Sequence, residues 1–107
     1  MKNQVKLAFI GIMVALTVVP ALAQSSGADT YKAKCMMCHA ADGSGSTPAG
    51  KSMGAIPFSS PDLVKASDAD LVAATKNGKG KMPAYSGKLT DGQITAVIAY
   101  IRTLQKK

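Results

Sequence analysis

Near the C-terminus, apolar residues recur at helical spacing. Ile94, Val97, Ile98 and Ile101 fall on one face, and Tyr100 and Leu104 widen it. Thr90-Asp91-Gly92-Gln93 ahead of them fits a capping box, and Arg102, Lys106 and Lys107 suit the negative end of the dipole. A helix is therefore predicted from Asp91 onward. Ser60-Pro61-Asp62 combines a capping serine, a proline at the first helical position and an early acid, and predicts a short helix over about 61–66. Ser67-Asp68-Ala69-Asp70 starts another through Leu71, Val72 and Thr75, with Gly78 as its stop. A first helix is expected from about Ala28 to Met37, with Ser26 as its cap and Asp29 in its first turn. The glycine-rich stretches Asp42–Gly54 and Lys79–Lys88 read as loops. No strand-like alternation of useful length is present, so the expected class is all-α.

Residues 1–23 break this pattern. Lys2 and Lys6 precede an apolar run, Leu7–Val19, and Ala21-Leu22-Ala23 fits an A-x-A cleavage site. The run is shorter than the ~20 residues that span a bilayer. A cleaved secretory signal is the expectation, leaving a domain of residues 24–107 in the periplasm or otherwise exported, with no stable membrane insertion. The expected product is a free-standing monomer rather than a module of a larger oxidoreductase, since the chain opens on a signal and ends six residues after Ile101.

Composition then sharpens the picture. A domain of this size buries little surface and often needs a staple or a cofactor. Its only aromatic residues are Tyr31, Phe58, Tyr85 and Tyr100, so something besides side chains is expected to fill the centre. The whole chain carries a net charge of +7. DNA binding would suit such a charge, but no recognition motif supports a nucleic-acid partner.

Candidate chemistry lies at Cys35-Met36-Met37-Cys38-His39, a C-x-x-C-H haem attachment pattern. Two thiols three residues apart near a helix end lie on one face and can meet both vinyl groups of one haem edge. His39 then comes beneath the iron as proximal ligand. A thioredoxin-like site would need a βαβ pattern, and a structural zinc site four ligands, against two cysteines and one histidine in the chain. A plain disulfide leaves the adjacent histidine unexplained. The reading is one covalent haem c.

For the sixth position a second histidine is excluded. Met36 and Met37 lie inside the attachment turn, and Met53 follows it closely enough to be read as packing filler. Met82 lies in a flexible segment between two helices and is the favoured distal ligand.

From about Gly27 to Leu104 the chain resembles a small class I cytochrome c of the bacterial monohaem kind. Gly27 and Tyr31 match that family's N-terminal helix glycine and aromatic, Lys81-Met82-Pro83-Ala84-Tyr85 its distal-methionine segment, and Val97–Ile101 its C-terminal helix. The resemblance implies helices and glycine-rich loops wrapped around one haem, with Gly27 allowing close approach where the terminal helices cross. It also implies a loop proline, here Pro48, whose carbonyl orients the proximal histidine. Ala40 departs from the glycine that many relatives carry after the histidine, a change expected to be mild.

With both axial positions filled, the expected role is an electron carrier and not an enzyme. The alternative is a ligand-binding or peroxidase-like haem protein with a labile distal position. Lys76, Lys79, Lys81 and Lys88 crowd the distal segment. Singly they read as solubilising charge. As a cluster they suit an acidic redox partner protein.

Overall fold

The computed structural model describes residues 19–106, with side chains from Gly27 onward. Most of the signal segment therefore lies outside the described residues. Six helices follow in order: α1 (Val19–Lys34), α2 (Met36–His39), α3 (Pro48–Met53), α4 (Pro61–Lys65), α5 (Asp68–Asn77) and α6 (Asp91–Leu104). The all-α expectation holds. Among the described residues, β pairing is confined to the isolated bridges Lys79–Met82 and Ser86–Leu89. None of the described helices is long and apolar enough to cross a membrane.

The caps fall largely where the sequence put them. Thr90 Oγ1 accepts from Gln93 N–H while the Gln93 side chain accepts from Thr90 N–H, which completes the capping box of α6. Ser67 caps α5, whose ladder ends at Gly78 with φ +79°. Pro61 opens α4 as predicted, but Ser60 makes no side-chain cap: its hydroxyl donates to the Pro57 carbonyl instead.

Two expectations need correction. The first helix does not start at a Ser26 cap. It runs straight through that serine from Val19, because Ala21–Gln24 are good helix formers. It also does not continue to Met37. The ladder breaks at Cys35, and a separate turn, α2, carries Met36 to His39. The stretch read as one loop, Asp42–Gly54, contains α3. Thr47 caps it by accepting from Gly50 N–H, Pro48 is its first residue and Gly54 ends it in the left-handed region.

The core is built around α6, which buries Ile94, Val97, Ile98, Ile101 and Leu104. Tyr31 from α1, Phe58 and Leu89 complete the cluster. The crossing of α1 on α6 depends on Gly27: a Cβ there would sit 2.5 Å from the carbonyl oxygen of Ala96. Tyr31 meets Tyr100 at the same crossing, ring centroids 5.2 Å apart. Farther along α6, Arg102 gathers the α4–α5 corner. Its guanidinium donates to the carbonyls of Leu63 and Ala66, to the Gln105 side chain and to Asp68 Oδ1. Gln105 in turn donates to the Phe58 carbonyl. These bonds fix the segment 58–68 against α6 and so set the position of Phe58.

Candidate functional site

The break at Cys35 creates the site. Cys35 leaves the α1 ladder with φ −116° and ψ −30°. Its own N–H still bonds Tyr31, but the N–H groups of Cys38 and His39 both turn back to the Cys35 carbonyl, at 3.2 and 3.0 Å. The result is a single tight turn bearing two cysteines and a histidine.

The chain leaves that turn through Ala40, at φ +68° and ψ +163°. This region is nearly exclusive to glycine and costs an alanine of order 1–3 kcal/mol. The change read as mild from sequence is therefore strained in the backbone. The conformation is held from several sides. The Tyr31 hydroxyl donates to the Ala40 carbonyl at 2.6 Å, Ala40 N–H bonds Met36, and Gly45 N–H bonds the His39 carbonyl. Helix α3 closes on the turn as well. The Thr47 hydroxyl donates to the Met37 carbonyl at 2.6 Å, and Gly50 passes so close to the Cys38 carbonyl that no side chain would fit.

His39 is half-buried, and that burial holds its pKa below the ordinary histidine value. Its ring stacks on Phe58, with centroids 4.6 Å apart and planes 24° apart. Tyr31 meets the other edge of Phe58 at 6.3 Å. Among the described residues, the buried Nδ1 of His39 has no hydrogen-bond partner. The bond expected from Pro48 is not made. Pro48 is the first residue of α3. Phe58, not a proline carbonyl, is the group seen against the imidazole.

Cys35 and Cys38 are free thiols, both partly exposed. Burial first, and then the neighbouring Cys38, push the Cys35 thiol up to about 11. A thiol so poorly ionised is a weak nucleophile for disulfide exchange, which relies on thiolate.

These groups open onto a cavity of about 390 Å³. Cys35, Cys38 and His39 line it, and so does Met82. Leu71, Val97, Ile98 and Ile101 make much of the remaining wall apolar. Met82 is held in a turn closed by reciprocal bonds with Lys79, at 3.2 and 2.9 Å. Met53, read as filler, also lines the cavity and is 42% exposed. Of the four clustered lysines, Lys76 pairs with Asp91 at 3.2 Å, and Lys88 lies over the Tyr85 ring. Lys79 and Lys81 instead join Lys34 at the cavity, all three exposed.

Sequence reasoning brought together Cys35, Cys38, His39 and Met82, and the structure places all four on one cavity. It missed Phe58 and Thr47. Phe58 carries no local signal, since its role depends on a contact nineteen residues away. Thr47-Pro48 is a helix-start signature like Ser60-Pro61, and could have been read.

Residues 22–101 match the family model described as cytochrome c oxidase, cbb3-type, subunit III. Cytochrome c6 of Leptolyngbya boryana is 37% identical over 79 residues, covering 72% of this chain and 87% of that protein. Cytochrome c6 of Picosynechococcus sp. is 33% identical over 107 residues, 90% of this chain and 91% of its own length. The cbb3-type cytochrome c oxidase subunit CcoP of Azospirillum brasilense is 34% identical over 86 residues, 78% of this chain but only 29% of that subunit.

Proposed function

Since the chain belongs to the small class I c-type monohaem cytochromes, which carry covalent haem c, we propose that Cys35 and Cys38 attach the haem and that His39 and Met82 hold its iron from opposite faces. The observation that carries this reading is the shared cavity: both thiols, the imidazole and the thioether line one mostly apolar space. The chain is an electron carrier, not an enzyme. When bound, the haem supplies a one-electron Fe(II)/Fe(III) couple.

The protein's own residues do the rest. Cys35 and Cys38 would hold the haem through thioethers, each formed by addition of S–H across a vinyl double bond. The rigid turn Cys35–His39, fixed by Tyr31, Thr47 and Gly50, holds sulfurs and imidazole in register. Phe58 sets the plane of the imidazole. Burial holds the His39 pKa down, which favours the neutral imidazole that ligates a metal. Met82 would supply the second ligand, whose thioether favours the ferrous state. With His39 and Met82 both given to the iron, the haem would exchange electrons without binding a reactant. The apolar walls keep water from the reaction centre.

The carrier works with redox partner proteins. Lys34, Lys79 and Lys81 form a positive rim beside the cavity, which suits an acidic docking surface. The signal at residues 1–23 directs the protein to the periplasm, where it acts as a monomer.

Expression with haem-maturation machinery, followed by mass and visible spectra, tests the reading. Wild type is expected to gain one haem and show the red charge-transfer band of methionine–ferric ligation. Met82→Ala is expected to lose that band and bind carbon monoxide. An unmodified polypeptide mass overturns the attachment, and a band kept in Met82→Ala but lost in Met53→Ala moves the ligand to Met53.

A further inference from the structure

The same break that forms the attachment turn leaves a backbone group for another partner. Without the break, the Lys34 carbonyl would accept from Cys38 N–H, four residues on. That N–H is instead drawn to Cys35. The Lys34 carbonyl accepts from the hydroxyl of Tyr85 at 3.0 Å, across 51 residues of sequence.

Tyr85 is anchored on its other side. Its N–H bonds the Thr75 carbonyl at the end of α5, and its carbonyl accepts from Lys88 and Leu89. Its ring packs on the core and lines the cavity. Met82 lies three residues before it, in the turn closed with Lys79. Gly78 bounds that turn behind: a Cβ there would come within 2.8 Å of the Met82 carbonyl. Met82 therefore hangs between the end of α5 and Tyr85. The Tyr85 hydroxyl joins this segment directly to the residue before Cys35.

We propose that the Tyr85 hydroxyl is a latch: by bonding the Lys34 carbonyl it holds the Met82 segment against the attachment turn and sets how readily Met82 leaves the iron. The inference rests on Met82 as distal ligand. Tyr85 is a positioning residue and touches neither reacting partner through its hydroxyl. Removing the hydroxyl while keeping the ring leaves the packing intact and frees the segment to swing. A neutral hydrogen bond of this kind shifts an opening equilibrium about fivefold, which corresponds to about 1 kcal/mol at 1.4 kcal/mol per tenfold. An external ligand that binds only the open form gains affinity by the same factor.

The test uses the ferric holoprotein with imidazole as the competing ligand, read by loss of the methionine charge-transfer band. Tyr85→Phe is expected to bind imidazole about fivefold more tightly than wild type. Thr90→Ala serves as a structural control, because it removes the cap of α6 and lowers global stability without touching the Met82 segment. It is expected to match wild type in imidazole affinity. Equal affinity in Tyr85→Phe and wild type overturns the latch, as does an equal gain in both variants. Failure of the ligand reading is distinct: wild type then lacks the band, or Met82→Ala keeps it, and the latch falls with it.

Discussion

Replacing Gly27 with alanine sets two effects of known size against each other. Gly27 lies inside α1, where alanine is the better helix former by about 0.8–1.0 kcal/mol. On local grounds the substitution should stabilise. The crossing with α6 says otherwise. The new Cβ would lie 2.5 Å from the Ala96 carbonyl oxygen, where ordinary contact is 3.4–4 Å. One helix must retreat by about 0.9 Å, and the obstacle is backbone, so no rotamer change relieves it. Retreat loosens the packing of Tyr31 and Val97, each only 1% exposed.

Overpacking of this kind costs typically ~1–3 kcal/mol. Subtracting the gain in propensity leaves a net loss of about 1 kcal/mol. For a domain of this size that lowers Tm by roughly 4–8 °C. Thermal unfolding of the holoprotein, followed by far-ultraviolet circular dichroism, measures it. Gly27→Val should fall further, and adding Ala96→Gly should not rescue either variant, because the clash is with the carbonyl. An unchanged or higher Tm in Gly27→Ala would refute the claim that backbone contact governs this crossing.

Arg102→Lys should destabilise by about 2 kcal/mol in denaturant titration, because a single ammonium cannot reach Leu63, Ala66, Gln105 and Asp68 together. An exposed Arg102–Asp68 pair acting alone would cost far less, so Asp68→Asn should be mild. Tyr31 supplies a pH dependence: burial first, then nearby negative groups, hold its hydroxyl well above the ordinary 10.0. Its folded pKa is raised, so its contribution is intact below pH 10 and declines as the unfolded chain ionises above it. The stability gap between wild type and Tyr31→Phe should therefore hold up to about pH 10 and narrow progressively above it; a constant gap would show that the hydroxyl is not protected. Cys35→Ala/Cys38→Ala, made without haem, should lose helical circular dichroism relative to the holoprotein, since the cavity of about 390 Å³ then has nothing apolar to fill it.

The helices with both a cap and a periodic face were legible in the sequence. Thr90–Gln93, Ser67 and Ser60-Pro61 each mark a helix start, and the structure begins α6, α5 and α4 at those points. Local signals of that kind suffice because capping involves residues only three apart. The end of α1 was not legible, because its break at Cys35 depends on where the following backbone is pinned. Tyr31, Thr47 and Gly50 do that pinning from other elements. That Cys35, Cys38 and His39 belong together was equally legible, and they line one cavity, whereas Phe58 and Tyr85 act through contacts that no local pattern encodes. Pro48, between Thr47 and Gly54, marks a helix start that was also legible locally.

The strain at Ala40 connects these levels. A helix that ran on past Cys35 would satisfy every backbone group locally, yet it would carry the histidine on around the α1 axis. Breaking the ladder leaves the Lys34 carbonyl to a distant partner and places Ala40 in a conformation that costs alanine of order 1–3 kcal/mol. Tyr31, from α1, and Tyr85, beyond α5, supply two of the hydroxyls that accommodate this arrangement, and Thr47 a third. Both tyrosines also belong to the hydrophobic cluster beside the cavity. Tyr31 therefore ties the Cys35–His39 turn to the core, and Tyr85 ties it to the wall of the cavity. In so small a core, stability and redox function depend on one set of contacts. A substitution along the Tyr31–Phe58–His39 aromatic chain should move both together, whereas one at the Arg102 corner should lower stability first and alter the haem spectrum only as unfolding begins.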